Sequence, residues 1–200
     1  MSVRFILASS SPRRRELLGS IGAEFDVIPS HIPEERRESE TPEEYVARLS
    51  REKAYAISEK HPGRWIIAAD TTVLLGEELL EKPLDAADAR RMLATIAGKT
   101  HIVYTGVTLQ NAAGGHHDTR VAESEVRMLP LTEREIAWYV ATGEPLDKAG
   151  AYAAQGVGGL FIDSIHGSFT NVVGLPLALL FQMLRKAGLD PLDNRGQANS

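Results

Sequence analysis

Val3-Arg4-Phe5-Ile6-Leu7-Ala8 runs directly into Ser9-Ser10-Ser11-Pro12-Arg13-Arg14-Arg15-Glu16-Leu17-Leu18. The opening run is dominated by branched and aromatic side chains, the pattern of a buried strand. A serine hydroxyl placed before a proline then marks a helix start, because proline lacks the N–H that a first turn leaves unpaired. A strand that feeds a helix in this way is the unit from which α/β sheets are built.

Outward from that unit the first helix stops around Gly19–Gly22, and residues 31–40 are charged without a period, as a loop is. Thr41-Pro42-Glu43-Glu44 is a capping box that opens a helix to about Lys60, with Val46, Leu49, Ala56 and Ile57 on one face. Trp65 to Leu75 is the strongest strand, followed at Gly76-Glu77 by a turn into a short strand ending at Lys82-Pro83. Asp85 caps a helix to Ile96, and Gly98 suits its left-handed C-terminal position. His101–Gln110 and His117–Arg127 alternate as two strands around the turn Asn111–Gly115. Thr132-Glu133-Arg134-Glu135 opens another helix, which ends at Gly143. Residues 144–159 are rich in glycine and poor in long apolar side chains, which predicts an ordered or binding loop. Leu160–Ile165 and Ser168–Val173 flank His166-Gly167 as a hairpin, and Pro176–Lys186 is a last amphipathic helix. Strands and helices alternate early and hairpins follow, so the predicted fold class is α/β with a mixed sheet. One domain is expected over residues 1–188, with a frayed tail over 189–200.

Composition bounds the function. The chain has 200 residues, 22 basic and 27 acidic side chains, a net charge of −5 and 43% hydrophobic residues, so it has enough apolar material for a core. The acidic balance argues against coating nucleic acid, which needs a basic field. The absence of cysteine excludes disulfides, thiolate zinc sites and thiol catalysis. No apolar run approaches the ~20 residues of a membrane span, and the N-terminal run is too short for a signal-peptide core. A soluble cytoplasmic protein without a membrane or a stable nucleic-acid partner is the expectation.

Several nucleotide and hydrolase signatures are missing. Gly98-Lys99-Thr100 resembles the end of a phosphate loop, but Leu93 stands where its first glycine would fall. Gly156-Val157-Gly158 follows no clean strand and has Phe161 in place of the third glycine of a dinucleotide fingerprint. No zinc-protease histidine pair and no Gly-x-Ser-x-Gly elbow occurs, and the histidines are scattered apart from His116-His117.

The informative residues are those that break local rules. Arg13, Arg14 and Arg15 occupy the first turn of a helix, where the dipole favours acids, at about 0.3–1 kcal/mol each if unpaired. They either face solvent or acids elsewhere, or they bind an anion together with backbone N–H groups and serine hydroxyls. Asp70 interrupts Ile66-Ile67-Ala68-Ala69 and Val73-Leu74-Leu75. It is a strand end, a structural salt bridge, or a carboxylate that binds metal or activates water. Lys53 falls on the apolar stripe of its helix, either snorkelling or aimed at phosphate. Lys82 by itself is a polar turn residue, and Gln155 either satisfies backbone or reads the edge of a base.

Together these residues resemble the Maf family of nucleoside triphosphate pyrophosphatases. Ile6-Leu7-Ala8-Ser9-Ser10-Ser11-Pro12-Arg13-Arg14 is similar to its opening signature, Ala69-Asp70-Thr71-Thr72-Val73 to its central strand and Glu81-Lys82-Pro83 to its Lys-Pro element. Thr105-Gly106-Val107, Gly143–Tyr152 with Gln155-Gly156, and Val172–Leu177 complete an ordered set. The resemblance implies a mixed α/β sheet with a cleft between two lobes, a homodimer, and cytoplasmic hydrolysis of a nucleoside triphosphate to monophosphate and pyrophosphate with a divalent cation, Mg²⁺ or Mn²⁺. The segment Asp147-Lys148-Ala149-Gly150-Ala151-Tyr152 with Gln155-Gly156 is similar to the branch acting on dTTP and UTP, although Ala153-Ala154 stands where that branch has Gly-Ile. Position by position, the resemblance makes Asp70 the proton acceptor and Arg13, Thr71 and Gln155 selectivity residues. It places Ser10, Arg14, Lys53 and Lys82 around the triphosphate and Glu34 beside Asp70 on the metal. The alternatives are a pyrophosphatase for 7-methyl-GTP or other modified nucleotides, or a non-catalytic nucleotide-sensing regulator of cell division.

Overall fold

The structure is a computed structural model that describes residues 3–189. Its elements are β1 (Arg4–Leu7), α1 (Pro12–Ser20), β2 (Glu24–Val27), α2 (Pro42–Ser58), β3 (Trp65–Leu75), β4 (Glu78–Leu80), α3 (Ala86–Ile96), β5 (Thr100–Asn111), β6 (His116–Met128), α4 (Glu133–Ala141), β7 (Ile162–His166), α5 (Phe169–Val173) and α6 (Leu177–Lys186). Short 3-10 turns fill residues 144–161. The strands order as β2-β1-β3-β5-β6-β7, with β4 paired to β3. β1 is parallel to β2 and β3, whereas β4 and β7 pair antiparallel to β3 and β6, so the sheet is mixed as expected.

Two compact units emerge among the described residues, one of residues 3–70, 105–122 and 174–189, the other of residues 71–104 and 123–173. In the first, β3 is buried on both faces, and its alternation sorts its residues. Ile67 and Ala69 join Phe5, Leu7, Leu18, Leu109, Leu180 and Leu184 in one cluster. Ile66 and Ala68 join Ile6, Ala8, Ala54 and Ile57 of α2 in another. Asp70 continues the second set, which aims it at the α2 side of the sheet. α2 comes very close to β5: a Cβ on Gly106 would lie 2.3 Å from the Val46 carbonyl oxygen. Ser50 Oγ meets Thr108 Oγ1 at 2.9 Å in the same interface. Glycine at 106 is therefore what lets α2 lie against the sheet.

The second unit packs α3 and α4 around Val73, Leu80, Leu93, Ile96, Val126, Tyr139, Tyr152 and Phe161. His101 is buried there, its Nε2 2.8 Å from the Tyr152 hydroxyl. Burial pushes the imidazole pKa down to about 4 and raises that of the phenol well above its ordinary value.

Two expectations change. β2 adds an edge strand at Glu24–Val27, where charged Glu24 and Asp26 hid the strand pattern. The predicted hairpin at 160–173 is half strand and half helix. Ile162–His166 pairs with β6, but residues 169–173 are helical because Ser168 Oγ accepts from the Asn171 amide as a cap. Leu189, the first residue of the expected tail, packs on the core of the first unit, and 190–200 lie outside the described residues. Among the described residues no helix is long and apolar enough to cross a membrane.

Candidate active site

The site of the first unit begins where β1 ends. Ser11 caps α1 by accepting from the Arg14 amide, and Ser9 Oγ accepts from the Ser11 amide at 3.2 Å. Ser10 between them is exposed. The Arg14 guanidinium is held on two sides, with Nε donating to the Gly174 carbonyl at 2.7 Å and Nη1 to Ser9 Oγ at 3.3 Å. Burial lowers its pKa, while the carboxylates of Asp70 and Glu34 raise it and Arg13 lowers it. Of the arginines of the first turn, Arg14 therefore lies near acids of its own unit. A guanidinium stays protonated through such shifts, so Arg14 is a fixed positive fork at a helix N-terminus.

Lys53 supplies the second half. Its Nζ lies 2.6 Å from Asp70 Oδ1 and 2.6 Å from Glu34 Oε1. The side chains of Lys53 and Asp70 are each 8% exposed, so snorkelling does not describe Lys53: the ammonium itself is buried and paired. Glu34 is far more open, at 41%.

The loop that carries Glu34 is pinned from α2. Tyr45 Oη donates to the Glu34 carbonyl at 3.0 Å and Arg48 Nη2 to the Glu35 carbonyl at 2.9 Å. Arg48 also grips Glu40 through both Nε and Nη2, which brings the Glu40 carboxyl pKa down to about 2. A charged loop without periodicity is thus ordered by one buried arginine and one buried tyrosine.

Of the residues singled out in the sequence, the first unit brings together Arg13, Arg14, Glu34, Lys53 and Asp70, with Ser10 on the adjoining loop. The second unit carries Thr71 on β3, Lys82 after β4 and Gln155 in the glycine-rich loop; Thr71 is half-buried, and Lys82 and Gln155 are exposed. Sequence reasoning passed over Ser9, Tyr45, Arg48 and the Gly174 carbonyl. A buried arginine on an amphipathic helix was the available signal for Arg48; a carbonyl acceptor leaves none.

Two carboxylates that converge on one cationic atom are a hard-oxygen pair of the kind that also suits Mg²⁺, which takes one or two carboxylates and completes its shell with phosphate oxygens and water. Among the described residues no group of three or more His, Cys, Asp or Glu could hold a metal by itself.

A family model described as Maf-like protein matches residues 4–187. The dTTP/UTP pyrophosphatase of Myxococcus xanthus is 51% identical over 184 residues, covering 92% of each chain. That of Anaeromyxobacter dehalogenans strain 2CP-C is 52% identical over 94% of this chain and 96% of its own. The Syntrophus aciditrophicus protein of the same name is 47% identical over 94% and 92%. The solved structure of a HAM1 protein from Coxiella burnetii aligns with a TM-score of 0.40 at 12% identity, over 63% of this chain and 73% of that one.

Proposed function

Since the chain belongs to the Maf family, we propose that it is a nucleoside triphosphate pyrophosphatase that hydrolyses dTTP and UTP to the monophosphate and pyrophosphate. The observation that carries this is the buried Lys53–Asp70 pair in the same unit as Arg14 and the N-terminus of α1.

A triphosphate repels an attacking nucleophile and gains charge on its leaving group, so catalysis rests on fixed positive charge and placement. Arg13, Arg14, Ser10 and the first amides of α1 meet the phosphate oxygens. Lys53, 2.6 Å from Asp70 Oδ1, orients that carboxylate and adds positive charge beside it. Water attacks the α-phosphorus, Asp70 takes its proton, the bond to the bridging oxygen breaks, and pyrophosphate leaves. Glu34 and Asp70 are the residues that would hold a divalent cation, Mg²⁺ or Mn²⁺. When bound, such a cation neutralises triphosphate charge and polarises phosphoryl oxygens. Thr71 and Gln155 read the pyrimidine edge through paired donors and acceptors, and a mismatched base would leave those groups unpaired. A homodimer belongs to the same proposal, and a monomer mass by light scattering contradicts that part.

Pyrophosphate release from each common and methylated nucleoside triphosphate, with Mg²⁺ and with chelator, tests the assignment. Metal-dependent release concentrated on dTTP and UTP supports it. Release from 7-methyl-GTP keeps the chemistry and overturns the base assignment. No release by folded protein that still binds nucleotide overturns both.

A further inference from the structure

The glycine-rich loop after Tyr152 invites comparison with a phosphate cradle, because successive backbone amides form an anion-binding nest. In this fold the amides are already taken. Glu144 Oε1 accepts from the Val157 amide at 3.0 Å and Oε2 from the Gly158 amide at 2.9 Å. Gly143, with φ of 77°, turns the chain out of α4 and into the 3-10 turn that starts at Glu144. The carboxylate approaches so closely that a Cβ on Gly156 would lie 2.0 Å from its Oε1, and Gly156 has a φ of 138° that other residues rarely adopt.

The other flank of the loop is held as well. Tyr139, fully buried on α4, accepts from the Ala153 amide at 3.0 Å. Its hydroxyl leaves no room for a side chain at position 158, where a Cβ would lie 2.4 Å away. Two side chains from α4 and the turn after it thus fix the backbone on both sides of Gln155. Gln155 is exposed between these two anchors, with only the side-chain-free Gly156 exposed beside it.

We propose that Glu144 is a positioning residue for base selection: its carboxylate fills the nest of the 156–158 backbone and thereby sets the orientation in which Gln155 meets the base. The inference rests on Gln155 reading the pyrimidine edge, as proposed above. A carboxylate that accepts two amides makes charge-assisted bonds, roughly twice as strong as neutral ones, so its loss releases the loop. The carboxylate has a geometric role and moves no proton.

The test is the ratio of kcat/KM for UTP to that for CTP, which share sugar and phosphates and differ only at the base edge. It is measured in wild type, Glu144→Ala, Glu144→Gln, Gln155→Ala and the double variant Glu144→Ala with Gln155→Ala. Gln155→Ala should flatten the ratio, and Glu144→Ala should flatten it by about tenfold, the scale of one charge-assisted bond. Glu144→Gln keeps one acceptor oxygen and should fall between wild type and Glu144→Ala. The double variant should be no flatter than Gln155→Ala alone, because the two residues act through one contact. An equal fall on both substrates in Glu144→Ala, with the ratio unchanged, means a purely structural role and overturns the inference. An additive double variant overturns it too, since Glu144 would then act apart from Gln155. An unchanged ratio in Gln155→Ala refutes the base assignment itself and this inference with it, whereas a shift there without one in Glu144→Ala refutes the inference alone. If Glu144→Ala does not fold, Glu144→Gln decides by the same ratio, a wild-type value counting against the proposal.

Discussion

Replacing Lys53 with methionine removes the ammonium that both Asp70 and Glu34 approach at 2.6 Å. The two carboxylates then respond differently. Glu34, 41% exposed, can turn to water, and an exposed pair is worth only about 0–1 kcal/mol. Asp70, 8% exposed on a strand buried on both faces, cannot turn away. Breaking a buried pair by deleting one partner costs about 3–5 kcal/mol, because the remaining charge stays desolvated. Lys53→Met should therefore lose about 3–5 kcal/mol in urea unfolding, read as a fall in midpoint with the m-value unchanged. Adding Asp70→Asn removes the stranded charge and should recover at least about 2 kcal/mol of that loss, a non-additive cycle. A loss below about 1 kcal/mol, or a double variant less stable than Lys53→Met, would refute the reasoning, since neither fits a desolvated charge held by one partner.

Three further outcomes follow from particular contacts. His101 has a folded pKa of about 4 against about 6.5 in the unfolded chain, so the unfolded state takes up the proton first. Its contribution is complete above pH ~6.5, and about 3 kcal/mol is lost as pH falls to 4; urea titrations should show that slope in wild type and lack it in His101→Gln, and parallel curves contradict the assignment. Gly106→Ala sets a methyl 2.3 Å from the Val46 carbonyl oxygen and should cost about 1–3 kcal/mol by thermal unfolding, an unchanged Tm showing that α2 does not approach β5 this closely. Arg14→Lys keeps the charge but not the fork held by Gly174 and Ser9, so KM for dTTP should rise about tenfold with kcat less affected; an unaltered KM removes Arg14 from phosphate binding.

Much of the framework was legible because its signals are local. β3 was read with its observed bounds, Trp65–Leu75, from a long apolar run between polar flanks. α2 and α4 announced themselves by capping boxes that close as expected at Thr41–Glu44 and Thr132–Glu135. The edge strand β2 and the helix at 169–173 were missed because pairing and a single serine cap, not periodicity, decide them. The site was legible in part. Lys53 and Asp70 each stood out as a charge on an apolar surface, but nothing local revealed that they were partners from a helix and a strand. Glu144 left no signal, because its partners are backbone amides and the glycine beside it is explained only by how close the carboxylate comes.

The role given to Asp70 is tested most directly by single-turnover hydrolysis of dTTP by Asp70→Asn, with nucleotide affinity and Tm measured on the same protein. Loss of a general base costs about 10²–10⁴-fold, and asparagine keeps the shape of the side chain while accepting no proton. The expected result is a fall in rate of that size, with the nucleotide still bound and the protein folded. A folded variant that binds dTTP and hydrolyses it at close to the wild-type rate would contradict the account, and proton transfer would then belong to another group.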